Sequence, residues 1–214
     1  MTKIKEYIKN NPCVYLLLYW PVHGIWYSIL QAITMERNPT AIYHTLDSLI
    51  PFCEWFIIPY VLWYAEIAVV SLYMLLKNKE QFMRMCLFMF SGMFICSLIC
   101  TVFPMYFDRS QVLMYPNDNI LTDFIKFLQG FDNPTTILPS MHVYVALGLH
   151  FTVSKDKNLG SKGTKIASAI LCISICLATV FTKQHSVYDV AAALVLAVPM
   201  YFFAYKSKFP LRIL

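Results

Sequence analysis

The chain has 214 residues, of which 58% are hydrophobic and 14% charged, whereas a soluble domain lies nearer roughly 45–50% and 25%. That balance excludes an ordinary soluble enzyme and fits one membrane-embedded domain over 1–214. The net charge of +5 is explained by topology and by anionic headgroups, and nothing calls for nucleic acid.

Lys3, Lys5 and Lys9 precede the first apolar segment, Cys13–Ile33. A basic start before an apolar stretch mimics a signal peptide, but this stretch is too long and no small-x-small site follows, so an uncleaved span is expected. The connection Met35–Ser48 leads to a second apolar segment, Leu49–Leu76, in which Glu54 and Glu66 are read as packing or interfacial groups. Met83–Phe103 is the third.

The long polar stretch Pro104–Leu138 holds Asp108, Arg109, Asp118, Asp123 and Asp132. Inside it, NILTDFIKFLQG places Ile120, Leu121, Phe124, Ile125, Phe127 and Leu128 at helical spacing behind Asn119, a capping residue. A short helix on the membrane surface is predicted there, in a loop long enough to act as a binding lid.

Pro139–Val153 is a shorter apolar segment; it covers about 22 Å as a helix, less than the roughly 30 Å hydrocarbon core. It is still read as a span. Ile166–Phe181 and Val187–Tyr205 follow. The expected fold is all-α, a six-span transmembrane bundle with the interfacial helix in the third-to-fourth span loop.

Six spans put both termini on one side. Lys3, Lys5, Lys9, Lys77, Lys79, Arg84, Lys155, Lys157, Lys162, Lys165, Lys206, Lys208 and Arg212 share that side, against Arg37, Arg109, Lys126 and Lys183 on the other. The positive-inside rule then makes the termini cytoplasmic, which expects a multi-pass protein of the cell membrane with its active site on the extracytoplasmic side. The seven cysteines lie in or beside apolar segments without a Cys-x-x-Cys and partner histidines, and are read as packing thiols.

Under this topology the ionisable residues converge. His142 and Ser140 begin the fourth span, His185 and Asp189 the sixth, and Arg109 and Lys183 lie in the adjoining outer loops. Ionisable groups at membrane depth default to a functional reading. Arg109 can fork two phosphate oxygens, and helix N-termini at Ser140 and near Ser186 can offer N–H groups to an anion. Asp189, four residues after His185, shares its helix face and can hold one ring nitrogen while the other attacks phosphorus. His142 can then protonate the leaving oxygen. The other histidines, His23, His44 and His150, are read as hydrogen-bonded core residues.

These segments, FPMYFDRS, LPSMH and ATVFTKQHSVYD, resemble the type-2 phosphatidic acid phosphatase superfamily. Its pattern is Lys-x6-Arg-Pro, Pro-Ser-Gly-His and Ser-Arg-x5-His-x3-Asp. The resemblance implies His185 as the nucleophile that becomes phosphohistidine, Asp189 as its orienting carboxylate and His142 as general acid. It also implies Arg109, Ser140 and the Met141 backbone N–H as phosphate ligands, and no metal or cofactor. The chain departs from the pattern at Val102, Ser110, Ala178 and Thr179, so two of the family's phosphate-binding cations are missing; Lys183 is positioned to supply charge instead. The expected activity is hydrolysis of a phosphomonoester or pyrophosphate of a lipid at the outer leaflet. The alternatives are headgroup transfer of the sphingolipid-synthase kind, or a non-catalytic transporter.

Overall fold

The computed structural model describes residues 2–111 and 114–207; Lys208 and Arg212 of the basic count lie outside the described residues. The fold is all-α. Helix makes up 76% of it, and the two three-residue strands serve only to tie loops together.

Helix α1 (Thr2–Asn10) gives way at Asn11 to a 3-10 segment, Pro12–Leu18, that runs into α2 (Tyr19–Ile33). Pro12 suits the first position of that segment, where no helical N–H is needed. After α2, Asn38 adopts φ 51° and turns the chain into strand β1 (Thr40–Ile42). Five-residue α3 (Thr45–Leu49) follows, capped by His44, whose ring accepts from Leu46 N at 3.0 Å.

The apolar run expected from Leu49 onward is interrupted. Ile50 is extended, as a residue before proline must be, and Pro51 ends α3. The long helix starts later, with a 3-10 turn at Glu54–Phe56 that continues into α4 (Ile57–Lys77). Asn78 alone links it to α5 (Lys79–Val102), accepting from Gln81 N as N-cap.

Strand β2 (Met105–Phe107) pairs in parallel with β1, in the register Thr40↔Met105 to Ile42↔Phe107. A bridge from Tyr106 to Thr135 adds the far end of the same long loop. Helix α6 (Ile120–Phe131) lies within that loop; Asn119 caps it, accepting from Leu121 N at 3.0 Å and Thr122 N at 3.1 Å. Ile125 and Thr122 face inward, whereas Ile120, Phe124, Phe127 and Phe131 are exposed.

The remaining helices are α7 (Met141–Lys155), α8 (Lys162–Phe181) and α9 (Val187–Tyr201). Pro199 removes a hydrogen bond from the last turns of α9, and the chain widens into a π-helical segment, Phe202–Lys206. Short α7 is the central helix of the bundle, packed on α4, α5, α8 and α9. Its Val143, Tyr144, Val145, Ala146 and Leu149 are fully buried. Close approach to α5 depends on Gly92, where a Cβ would fall 2.0 Å from the Tyr144 ring. That ring stacks on Phe88 at 4.6 Å, and its hydroxyl donates to Phe88 O at 2.8 Å. Small residues at such crossings let apolar helices pack without a solvent-driven force.

Among the described residues, five helical stretches are long and apolar enough to cross a membrane: Pro12–Ile33, Glu54–Lys77, Lys79–Val102, Lys162–Phe181 and Val187–Lys206. The 15-residue α7 is surrounded by them rather than counted with them. Of the two acidic residues in the second apolar run, Glu54 accepts from Asn117 Nδ2 at 2.9 Å and Asn119 Nδ2 at 3.0 Å, which anchors the start of α6. Glu66 is half-buried on α4, and its Oε2 has no partner.

Candidate active site

The turn between α8 and α9 is built to present one side chain. Lys183 sits at φ 56°, and the backbone folds back so that Gln184 N and His185 N both donate to Thr179 O, at 2.9 and 3.0 Å. Ser186 then caps α9 in a capping box with Asp189, whose Oδ2 accepts from Ser186 N at 3.0 Å. The same Oδ2 lies 3.1 Å from His185 Nδ1. A carboxylate there accepts the Nδ1 proton, which leaves Nε2 with its lone pair.

That nitrogen faces a second imidazole. His185 Nε2 lies 3.4 Å from His142 Nδ1, and His142 Nε2 is buried without a partner. Tyr60 and Trp63 of α4 clamp the His142 ring, with centroids at 4.6 and 4.4 Å. Ser140 caps α7, its Oγ accepting from Val143 N at 3.4 Å, and its own N–H donates to Asp189 O at 3.1 Å. Helix α7, which carries His142, and helix α9, which follows His185, are thereby fastened to each other in their first turns. Met141 is the first residue of α7, where a helix leaves its N–H without an internal acceptor.

His142, His185 and Met141 line one end of a cavity of about 520 Å³. Its walls run away from the histidines along α2 and α4 through Tyr27, His23, Trp20, Tyr64 and Ile67. Thr136, at φ 59°, also lines the cavity. A β-branched residue at positive φ is costly and is retained mainly where the surroundings or the function require it.

The sequence expectations meet this geometry unevenly. His185, Asp189, His142, Ser140 and Met141 are brought together. Lys183 is not: its ammonium donates to the carbonyls of Asp47 (2.6 Å) and Ile50, so it serves the α3 loop and not the cavity. Burial lowers its pKa, with the nearby Asp47 carboxylate opposing. The N-terminus of α9 is also taken. Asp47 Oδ1 accepts from Val187 N at 2.9 Å and Oδ2 from Ser186 Oγ at 2.7 Å, so an anion already occupies the position expected for phosphate.

Arg109, placed just after β2, donates from Nη2 to Gln184 Oε1 at 2.5 Å and from Nη1 to Asp132 O at 3.2 Å. Burial lowers its pKa, while Asp132 and Tyr60 act to raise it, and guanidinium stays charged regardless. Asp132 in turn accepts from Tyr27 Oη at 2.6 Å and Gln31 Nε2 at 2.7 Å.

Asp47, Gln184, Thr136 and the aromatic clamp on His142 were not singled out by sequence reading. His23, expected in the core, lines the cavity, with its Nδ1 3.4 Å from Tyr19 Oη. Gln184 stands beside His185 in the third motif and carried a positional signal; Asp47, some 140 residues from its partners, carried none. Among the described residues no group of three His, Cys, Asp or Glu is placed to hold a metal ion.

Comparison with known proteins finds no match to any protein-family model, curated protein or solved structure.

Proposed function

We propose that this chain is an integral-membrane, metal-independent phosphoesterase that acts on a phosphate ester of a lipid through a phosphohistidine on His185. The observation that carries the reading is the relay of Asp189 Oδ2, His185 and His142, with contacts of 3.1 and 3.4 Å at the head of an apolar cavity. A nucleophile, its orienting carboxylate and a proton donor are held together where an aliphatic substrate can lie.

In the chemistry this supports, the Nε2 lone pair of His185 attacks phosphorus and the bond from phosphorus to the leaving oxygen breaks. Protonated His142 gives that oxygen its proton. The Nδ1 proton of His185 stays bonded to Asp189, which stabilises the charged ring. Water then attacks the phosphohistidine, passes a proton to His142 and breaks the P–N bond, so both histidines return to their starting states. The resemblance to the type-2 phosphatidic acid phosphatases supports the same roles.

The membrane arrangement belongs to this proposal. Helix α7, central and short, is the fourth of six spans; the histidine end faces the extracytoplasmic leaflet and both termini are cytoplasmic, as the basic residues ask. Helix α6 lies on that surface, with Ile120, Phe124, Phe127 and Phe131 turned to the lipid. A second enzyme reading, transfer to a lipid alcohol, uses the same intermediate with an alcohol in place of water.

The test is alkaline-quench labelling of the purified protein with 32P-labelled lipid phosphates, because a P–N bond survives base and is lost in acid. Label on His185 is expected, absent in His185→Ala and longer-lived in His142→Ala, which lacks the base for the second step. Turnover retained in His185→Ala, or lost to chelators and restored by metal, would sink the mechanism. Free phosphate supports hydrolysis, and a phosphorylated acceptor without it supports transfer.

A further inference from the structure

At the end of the bundle away from the histidines, α7 and α9 enclose a second cavity, of about 540 Å³. Among the described residues it shares no lining residue with the first. Leu147 and Phe151 wall it on α7, and Leu194, Val198 and Phe202 on the facing stretch. Each set recurs every four residues, so each is one stripe along its helix. Leu194, Val198 and Phe202 are exposed, on a stretch long and apolar enough to cross a membrane. The cavity is therefore a groove whose open side is apolar.

One charge stands at its mouth. Lys155 ends α7 and lines the groove. Its ammonium lies 5.1 Å from the Tyr201 ring centre and 5.8 Å from that of Tyr205. Both rings are held from behind: Tyr205 Oη is 2.8 Å from Thr152 Oγ1, and Phe151 meets Tyr201 edge-on at 5.0 Å. Ring faces attract the cation but offer no oxygen to its three N–H donors. Among the described residues no carboxylate pairs with Lys155. Asp156, next in the chain, is spent on Asn78 Nδ2 at 2.7 Å and on the N–H groups of Asn158 and Leu159. Glu80, at the same end, pairs with Arg84. The turn after α7 and the start of α8 add exposed Lys157, Lys162 and Lys165. The mouth is basic and half-buried, with donors to spare.

We infer that this groove is a binding site for one phospholipid of net negative charge, with its phosphate on Lys155 and an acyl chain between α7 and α9. An apolar slot that ends in a basic residue matches such a molecule at both its ends. The stripe from Leu147 to Lys155 rises about 12 Å, which seats the part of a chain nearest its headgroup. His142 opens α7 and Lys155 closes it, so the site is separate from the histidine cavity and needs none of the chemistry proposed there.

The experiment is native mass spectrometry of the full chain in detergent, titrated with phosphatidylglycerol or with phosphatidylcholine of the same acyl chains. The wild type is expected to bind its first phosphatidylglycerol about fivefold more tightly than its first phosphatidylcholine, the usual worth of one basic side chain at an anionic surface. Lys155→Gln is expected to abolish that preference and Lys155→Arg to keep it. Lys162→Gln makes the same charge change on an exposed helix start and is expected to leave the preference intact. Val198→Trp, which fills the groove without touching charge, is expected to weaken both lipids. Equal binding of the two lipids by the wild type, or a preference that survives Lys155→Gln, overturns the proposal. So does an equal loss in Lys162→Gln, which would show a diffuse basic surface, and so does unchanged binding in Val198→Trp, which would put the lipid in another cavity. If Lys155→Gln does not fold, the wild-type ratio, Lys162→Gln and Val198→Trp decide.

Discussion

At Asp47 a single carboxylate accepts from Ser186 Oγ, Val187 N and His44 N, while the backbone carbonyl of the same residue accepts from Lys183. Its charge therefore acts on the turn that carries His185, though it does not touch the histidine. Asp47→Asn keeps the shape and replaces one acceptor oxygen by a donor, leaving a buried hydrogen atom facing N–H or O–H. Such a mispaired buried group costs about 1–3 kcal/mol. The expected outcome is a lower Tm and a lower kcat with KM little changed, because the cavity wall stays intact and only the proposed nucleophile, His185, is loosened. Steady-state kinetics with a thermal melt in detergent checks it; a raised KM with unchanged kcat would place Asp47 in substrate binding instead. The same geometry revises the role of Lys183. Its charge stabilises the α3 loop, so Lys183→Ala is expected to act through stability and not through direct loss of a phosphate contact.

Helix elements were legible to the extent that their signals are local. The period of Ile120 to Leu128 and the cap at Asn119 define α6, and the structure has that helix with that cap. Pro51 was visible too, but the apolar run around it masked the stop it imposes on α3. The strands β1 and β2 were not legible, because three residues paired across more than sixty leave no periodicity to detect. In the site, the histidines and Asp189 could be found because residue type, helix spacing and position near segment ends agreed. Gln184 and Asp47 could not, because a neutral amide and a loop carboxylate take their meaning only from the partners that folding supplies. The crossing of α5 and α7 gives an element-scale test. Gly92→Ala puts a methyl into the Tyr144 ring, and overpacking of this kind costs typically about 1–3 kcal/mol. A matching fall in stability is expected, with Gly24→Ala, which meets no atom within 4 Å, nearly neutral by the same melt. Equal effects at both positions would show that the close packing at Gly92 is not what the glycine serves.

For the molecule as a whole, the proposed orientation predicts which ends meet which solution. In a background without reactive native thiols, Asp118→Cys should react with an impermeant thiol reagent on intact cells, and Asn158→Cys only after lysis, since both sites are exposed and fall at opposite ends of the bundle. The reverse pattern would put the histidines on the cytoplasmic side. One feature of the assembled bundle also bears on how it is made. The donors that neutralise Asp47 lie at Lys183, Ser186 and Val187, about 140 positions further along the chain. When the first helices emerge from the ribosome, that carboxylate has only the His44 N–H of its own turn as a partner, and its other donors arrive with the last helix. The turn that carries His185 and its anchor thus come together only with the last helix. A chain cut short before Val187 carries every earlier helix and still lacks the Val187 N–H that holds Asp47 and the Asp189 carboxylate that holds His185.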